Sequence, residues 1–171
     1  MNNEKTIYCI DTSVFLQLHF INKIIPIPDV WHEFDIFFSE NKIISHEFVF
    51  EEFYSKTSKN DFIKTWISNK KSHFYKITER QIELVSQILE KFPKLIDPNK
   101  ENNQADPWLI AMAIEIIEEP NLFENKNVVL VSQEKLSSNI KIPAACKAFG
   151  VNHINLEKFF EENGWKLGLK K

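Results

Sequence analysis

Several features are scarce in this sequence, and each scarcity excludes a class of protein. Only three of the 171 residues are glycine, so no glycine-rich loop can hold a phosphate, and P-loop and Rossmann-type nucleotide sites are excluded. No apolar run reaches the roughly 18 residues of a transmembrane helix, so we expect no membrane span. The N-terminal segment has no basic stretch followed by an apolar one. We therefore expect no secretory signal and a cytoplasmic location.

Cysteine and positive charge are also scarce. The two cysteines, Cys9 and Cys146, lie far apart without metal-binding spacing, so we expect buried free thiols in a reducing compartment. The net charge of −3 argues against a broad electrostatic grip on nucleic acid. It leaves open a local basic groove, or an acidic site whose charge a bound metal offsets.

What the sequence does have is a large apolar fraction, 43% of all residues, which is enough for a sizeable core. The length suits a single domain over residues 1–171. We predict strands over 6–10, 42–45, 127–132 and 151–156, with a short extended piece over 74–77. We predict helices over 14–20, 30–41, 46–54, 61–69, 78 to about 93, 107 onward, 143–149 and 157–163. Alternating strands and helices indicate an α/β fold with a mainly parallel sheet.

Acidic residues follow or flank these predicted strands. Asp11 ends the first strand, Glu51 and Glu52 lie in the helix after the second, and Asp106 begins the long helix. Glu134 follows the strand that ends near Ser132. Because ligands of parallel α/β sheets bind beyond the carboxyl ends of the strands, these acids could converge at one edge.

Each residue also has a simpler interpretation. Helix capping would explain four residues at predicted helix starts: Asp11, Thr12, Ser13 and Asp106. Solvent exposure would explain three acids: Glu51, Glu52 and Glu134. Their shared placement after strands is what favours a common site.

A carboxylate cluster needs a compensating charge. Two unit charges roughly 4 Å apart repel by about 4 kcal/mol at an effective dielectric constant near 20, so some acids must protonate or a cation must bind. Oxygen ligands without histidine or cysteine suit Mg²⁺ or Mn²⁺ rather than zinc. Such ions support phosphodiester hydrolysis, and the hydroxyl of Thr12 or Ser13 could add a ligand or orient Asp11.

Four motifs together resemble a PIN domain. They are IDTS at 10–13, VFEEF at 49–53, ADPWLIAMA at 105–113 and VSQE at 131–134. The later segments KIPAAC at 141–146 and GVNHINL at 150–156 look like a PIN-like subfamily known only as a domain of unknown function. The resemblance covers nearly the whole chain.

The resemblance implies a three-layer α/β/α fold and a metal-dependent ribonuclease that uses Mg²⁺ or Mn²⁺. The implied acidic quartet, catalytic and metal-binding, is Asp11, Glu52, Asp106 and Glu134, with Thr12, Ser13 and Ser132 in support. Glu52 is preferred over Glu51 because the acid of the family directly precedes a large apolar residue, here Phe53. Glu134 and Ser132 stand where the family more often has Asp and Thr.

The resemblance also implies partners: an RNA substrate, an antitoxin protein if the chain is a toxin, and a second copy in a homodimer. His46 and Trp108 are further candidates for substrate contact, although surface and core roles fit them as well. A haloacid-dehalogenase-like phosphatase would need a second acid where Ser13 stands. A phosphoacceptor receiver domain would need a lysine after a later strand, and Lys135 is available but poorly spaced. A PIN-like fold that acts only as a binding module stays open.

Overall fold

The computed structural model of the protein describes residues 5–119, 126–134 and 141–166. Its strands all run parallel in one five-stranded sheet, which is flanked by helices. This confirms the predicted α/β class and is consistent with three layers, α/β/α.

The elements of the described ranges are as follows. The strands are β1 (Lys5–Ile10), β2 (Ile43–His46), β3 (Phe74–Tyr75), β4 (Lys126–Val131) and β5 (Asn152–Ile154). The helices are α1 (Thr12–Ile24), α2 (Pro28–Ser39), α3 (Glu47–Lys56), α4 (Phe62–Ser68), α5 (Glu79–Lys91), α6 (Asp106–Glu118), α7 (Ile142–Ala148) and α8 (Leu156–Asn163). Short 3₁₀ turns cover Lys71–His73 and Pro93–Leu95.

The sheet has the strand order β3-β2-β1-β4-β5. The chain moves outward from β1 to β2 and β3, and then returns to build β4 and β5 on the other side of β1. Ile10 pairs with Val131 at the carboxyl ends of β1 and β4. The order therefore reverses between these two strands, which is where parallel α/β sheets bind ligands.

Apolar runs place β1 and β4 in the interior. The last four residues of each strand are buried, as expected for parallel strands covered on both faces. The helix α6 is apolar on most of its surface and buries eight side chains, among them Leu109 and Met112. The largest fully buried side chains include five phenylalanines: Phe15, Phe34, Phe38, Phe53 and Phe159.

Smaller predictions also have outcomes. Cys9 and Cys146 are free and buried, as predicted. Helix α8 ends at Gly164, whose φ of 67° is the left-handed value that glycine tolerates best. No helix within the described ranges is long and apolar enough to span a membrane.

The predicted start of the first helix was wrong. The side chain that caps α1 is Asp11, not Thr12 or Ser13, because Asp11 has extended backbone and accepts a hydrogen bond from the Ser13 amide. Thr12 and Ser13 already lie in the first turn. The helix also continues to Ile24 rather than ending at Phe20. The sequence did not predict this extension because Phe20 and Ile24 are exposed and give no apolar stripe beyond the core.

Candidate metal centre

Asp11 lies at the end of β1 with its two carboxylate oxygens in different surroundings. Oδ2 accepts hydrogen bonds from the amide and the hydroxyl of Ser13. Oδ1 is buried and has no hydrogen-bond partner, and the residue is only 4% exposed. Burial raises the pKa of this carboxyl, and the charge of Glu52 raises it further, against the Ser13 hydrogen bonds. One oxygen thus caps the helix, and the other is available to a cation.

Glu52 joins three elements at this edge of the sheet. Its Oε2 accepts a hydrogen bond of 2.8 Å from the Thr12 hydroxyl of α1. Its Oε1 accepts one of 3.0 Å from the amide of Ala105, the residue before α6. The neighbouring Glu51 is exposed, and its Oε2 accepts a long hydrogen bond of 3.5 Å from the side-chain Nδ2 of Asn103. The structure therefore brings Glu52 to the cluster and leaves Glu51 outside it.

Asp106 is the first residue of α6, and its side chain does not cap the helix. The N-cap position is Ala105, without a side-chain hydrogen bond, so capping does not account for the acid. The pKa of Asp106 is raised to about 8 by burial and then by the charges of Asp11, Glu134 and Glu52, while Lys141 lowers it. Glu52, Asp106 and Glu134 line one cavity, and the charge of Asp11 also acts on Asp106.

Glu134 is held at the end of β4 by neighbours on both sides. Its Oε2 accepts a hydrogen bond of 2.9 Å from the Ile142 amide, and its Oε1 lies 3.2 Å from Nζ of Lys141. The Glu134 amide donates to the Ser132 hydroxyl at 3.4 Å. Ser132 therefore contacts the turn that carries Glu134.

Two hydroxyl groups tie the ends of β1 and β4 to their surroundings. Ser13 accepts a hydrogen bond of 2.9 Å from the amide of Gln133 while it donates to Asp11. The Ser132 hydroxyl lies 2.8 Å from Nε2 of His153 on β5. Burial lowers the pKa of His153 to about 4, so this imidazole is neutral at physiological pH.

A cavity of about 440 Å³ is lined by three of the four acids, whereas the buried Asp11 is not among its lining residues. Its lining combines acids, hydroxyls and lysines: Thr12, Ser13, Leu16, Glu52, Lys56, Lys94, Leu95, Ile96, Asp97, Lys100, Gln104, Asp106, Glu134 and Lys141. We call it the acidic cavity. Its position at the switch between β1 and β4 is the one predicted from the sheet topology.

The donors fit a magnesium or manganese ion that keeps much of its water. No group of three or more His, Cys, Asp or Glu side chains in the described ranges forms a complete metal-binding set. Magnesium, however, is usually held by only one or two carboxylates together with water and substrate phosphate. Asp11, whose Oδ1 has no hydrogen-bond partner, and Asp106, whose carboxyl feels the charge of Asp11, would be the two carboxylates of such a site.

Other candidates from the sequence lie elsewhere. His46 is fully buried, which corrects the surface role, and its Nδ1 accepts from the Phe48 amide as the cap of α3. Trp108 packs against His46 and Phe48 within the fold. None of these residues lines the acidic cavity.

Sequence reasoning missed the lysines of the cavity and the contact of His153. The cavity lysines lie on separate segments, so no charge run or regular spacing in the sequence predicts them: Lys56, Lys94, Lys100 and Lys141. His153 faces Ser132 only because β5 lies beside β4. The strand order would have indicated this contact, but no local sequence pattern specifies the strand order.

The fold and the site define an α/β protein with a carboxylate-lined cavity at the carboxyl edge of a parallel sheet. Residues 8–167 match the family described as Domain of unknown function (DUF4411). Because the match covers most of the chain, the protein belongs to this family. No curated protein matches the chain.

Proposed function

We propose that the protein is a Mg²⁺- or Mn²⁺-dependent ribonuclease that hydrolyses phosphodiester bonds in the acidic cavity. The observation that carries the proposal is Oδ1 of Asp11, which is buried without a partner near the carboxyl of Asp106. A buried acceptor without a donor is costly. A divalent cation would satisfy it and offset the repulsion among the neighbouring acids.

The four acids divide into two pairs by their existing contacts. Asp11 and Asp106 would hold the ion directly, because Oδ1 of Asp11 is free and Asp106 accepts no hydrogen bond from the described residues. Glu52 and Glu134 already accept backbone hydrogen bonds, so they would act through water. The bound ion would lower the pKa of the attacking water and neutralise charge in the transition state.

The remaining polar groups hold these acids in place. Ser13 fixes the rotamer of Asp11 through Oδ2, which leaves Oδ1 turned away from the cap. Thr12 and the Ala105 amide fix both oxygens of Glu52. The carboxyl of Asp106 keeps its proton near neutral pH without a cation, since its pKa lies near 8. Cation binding would displace that proton.

The RNA substrate, a neutralising antitoxin and a homodimer belong to this proposal through the PIN resemblance, as does a cytoplasmic location. An antitoxin would place a basic side chain against the acids of the cavity. Expression of the wild-type chain without such a partner should then arrest bacterial growth. Expression of Asp11→Asn at the same level should not, and equal arrest by both chains would contradict a toxin role.

The proposal is tested by incubating the purified protein with a mixed pool of labelled single-stranded RNA. We expect cleavage with Mg²⁺ and with Mn²⁺, and none with a chelator. Cleavage that continues in chelator would contradict the assigned chemistry. Fragment ends read by sequencing would show which RNA is preferred.

A second candidate is a PIN-like module that binds RNA or protein without cutting. The absence of a complete set of three metal-binding side chains in the described ranges favours it. Calorimetry separates the two functions, because a module without chemistry should bind RNA but neither Mn²⁺ nor Mg²⁺. Metal binding that disappears in Asp11→Asn would favour the ribonuclease.

A further inference from the structure

The acidic cavity is also lined by four lysines. Lys56 ends α3, Lys94 lies in the 3₁₀ turn Pro93–Leu95, Lys100 lies in the loop after it, and Lys141 precedes α7. All four residues are exposed. Three separate parts of the chain thus bring their ammonium groups to one cavity. A run of lysines along one exposed helix face would not converge in this way.

Within the described ranges, only one of these lysines has an acidic partner. Nζ of Lys141 lies 3.2 Å from Oε1 of Glu134. Lys56, Lys94 and Lys100 make no ion pair with any acid of the described ranges, although the charge of Lys100 helps to lower the pKa of Asp97 after the Asn99 hydrogen bonds. We call Lys56, Lys94 and Lys100 the lysine wall. Its three ammonium groups are available to an anion from outside the chain.

The loop that carries Lys100 is closed by one side chain. Oε1 of Gln104 accepts a hydrogen bond of 2.7 Å from the Asp97 amide, and its Nε2 donates one of 2.8 Å to the Asp97 carbonyl. The Lys100 amide donates to the same carbonyl at 3.1 Å. Gln104 directly precedes Ala105, whose amide binds Glu52. The loop is therefore fixed to the segment that positions the acids.

Resting on the proposed function, we propose that the lysine wall binds the phosphates that flank the scissile phosphodiester of an RNA strand, and that Gln104 positions Lys100 for this contact. Acids that surround the reacting phosphate repel the rest of a polyanion. Lysine is a suitable partner for phosphate as a flexible point charge. A substrate with a single phosphate would reach the acids without needing the wall.

This difference gives the test. Lys94→Gln, Lys100→Gln and the double variant are compared on a short labelled RNA and on bis(p-nitrophenyl) phosphate, which has one phosphate. We expect KM for RNA to rise by about two- to fivefold per lysine with kcat and the rate on the small diester unchanged. The slope of log affinity against log salt should fall by about 0.7 per lysine.

The matched control is Lys76→Gln. Lys76 is also an exposed lysine, but it lines a different cavity, together with Lys5 and Lys126 at the starts of β1 and β4. This variant should leave KM and the salt slope at the wild-type values. Wall variants that behave like Lys76→Gln would overturn the proposal.

The role of Gln104 is tested by Gln104→Met, which keeps the length of the side chain and removes both hydrogen bonds. We expect it to raise KM for RNA by itself but to add nothing in the Lys100→Gln background, since both changes remove one contact. Additive effects, or a fall in the rate on the small diester, would overturn the positioning role.

Binding is measured in parallel by fluorescence anisotropy of the labelled RNA with Ca²⁺ present. RNA binding that depends on the wall, without cleavage in any metal, would refute the ribonuclease and leave the wall standing. Cleavage with KM and affinity independent of the wall would refute the wall alone. Neither cleavage nor binding would refute both.

Discussion

At the scale of single residues, the two carboxylate oxygens of Asp11 explain why one acid can serve a fold and a site together. Oδ2 caps α1, a contact worth about 1 kcal/mol. Oδ1 is buried without a donor and lowers stability unless a cation binds. A capping role alone would not require the second oxygen to stay unpaired.

Asp106 should make the metal-free protein sensitive to pH. Its folded pKa is about 8, against an ordinary value of 3.8, because burial and the neighbouring carboxylates disfavour its charge. The folded state then holds a proton that the unfolded state has released. The contribution of Asp106 to the free energy of unfolding should therefore be fully present below about pH 4, fall as pH rises from about 4 to about 8, and level off above that.

The variant Asp106→Asn removes this titration. We expect it to raise the free energy of unfolding at pH 8 in chelator by about 1–3 kcal/mol and to flatten the fall between pH 4 and pH 8. Urea unfolding across this range is the measurement, with Glu51→Gln as the control from an exposed acid. An unchanged pH profile in Asp106→Asn would contradict the assigned burial and repulsion.

At the scale of elements, a buried polar chain fixes the helix that carries Glu52. Nδ1 of His46 accepts from the Phe48 amide, so its proton lies on Nε2, 3.2 Å from Oε1 of Gln81. Gln81 in turn donates to Glu115 of α6 at 2.7 Å. The start of α3 is thereby tied to α5 and α6.

Removal of His46 should therefore destabilise the fold. We expect His46→Ala to lower the free energy of unfolding by about 2–4 kcal/mol, since it opens a cavity and leaves the buried Oε1 of Gln81 without a donor. His46→Asn keeps a capping oxygen and should lose about half as much. Urea unfolding at pH 8 measures both, and equal losses below about 1 kcal/mol would contradict the role of the cap.

Sequence patterns predicted some elements well for a physical reason. The strand predicted over 127–132 is found at Lys126–Val131, because a parallel strand covered on both faces is a continuous apolar run. The end of α1 was missed, since Phe20 and Ile24 are exposed and no core stripe marks its last turns. Periodicity reports burial, so it fails where an apolar helix faces solvent.

The candidate site was predictable only in part. Asp11 follows a predicted strand and Asp106 begins a predicted helix. Ligands of parallel α/β sheets bind at such positions, so both acids could be predicted from the sequence. Whether Glu51 or Glu52 reaches the cluster depends on how α3 is rotated about its axis. The apolar Phe53 favours Glu52 in the sequence, but the rotation itself is set by the packing of α3. The lysine wall depends on the approach of segments far apart in the sequence, and no local pattern encodes that.

At the scale of the whole molecule, the strand order places the ends of β1 and β4 side by side and opens the acidic cavity above them. The hydrogen bond from the Gln133 amide to Ser13 crosses this junction. A cation held by Asp11 and Asp106 would link the end of β1 to the start of α6. It should stabilise the folded state as a unit, because the unfolded chain has no such site.

Metal binding should therefore raise Tm. At a Mn²⁺ concentration about 100 times Kd, we expect about 2.7 kcal/mol of stabilisation, or an increase in Tm of about 5–10 °C for a chain of this size. Differential scanning calorimetry measures the change, and Asp11→Asn should abolish it. Glu51→Gln should retain it, and an equal increase in all three proteins would indicate non-specific binding.

The most direct test of the central claim is the rate at which four proteins cut one labelled RNA in Mn²⁺: the wild type, Asp11→Asn, Glu52→Gln and Glu51→Gln. Glu51 and Glu52 are adjacent on α3, but only Glu52 contacts Thr12 and Ala105. We predict losses of about 10²–10³-fold for Asp11→Asn and about 10–100-fold for Glu52→Gln, with Glu51→Gln near the wild-type rate. Equal rates for all four proteins, or no cutting by the wild type, would contradict a ribonuclease built on these carboxylates.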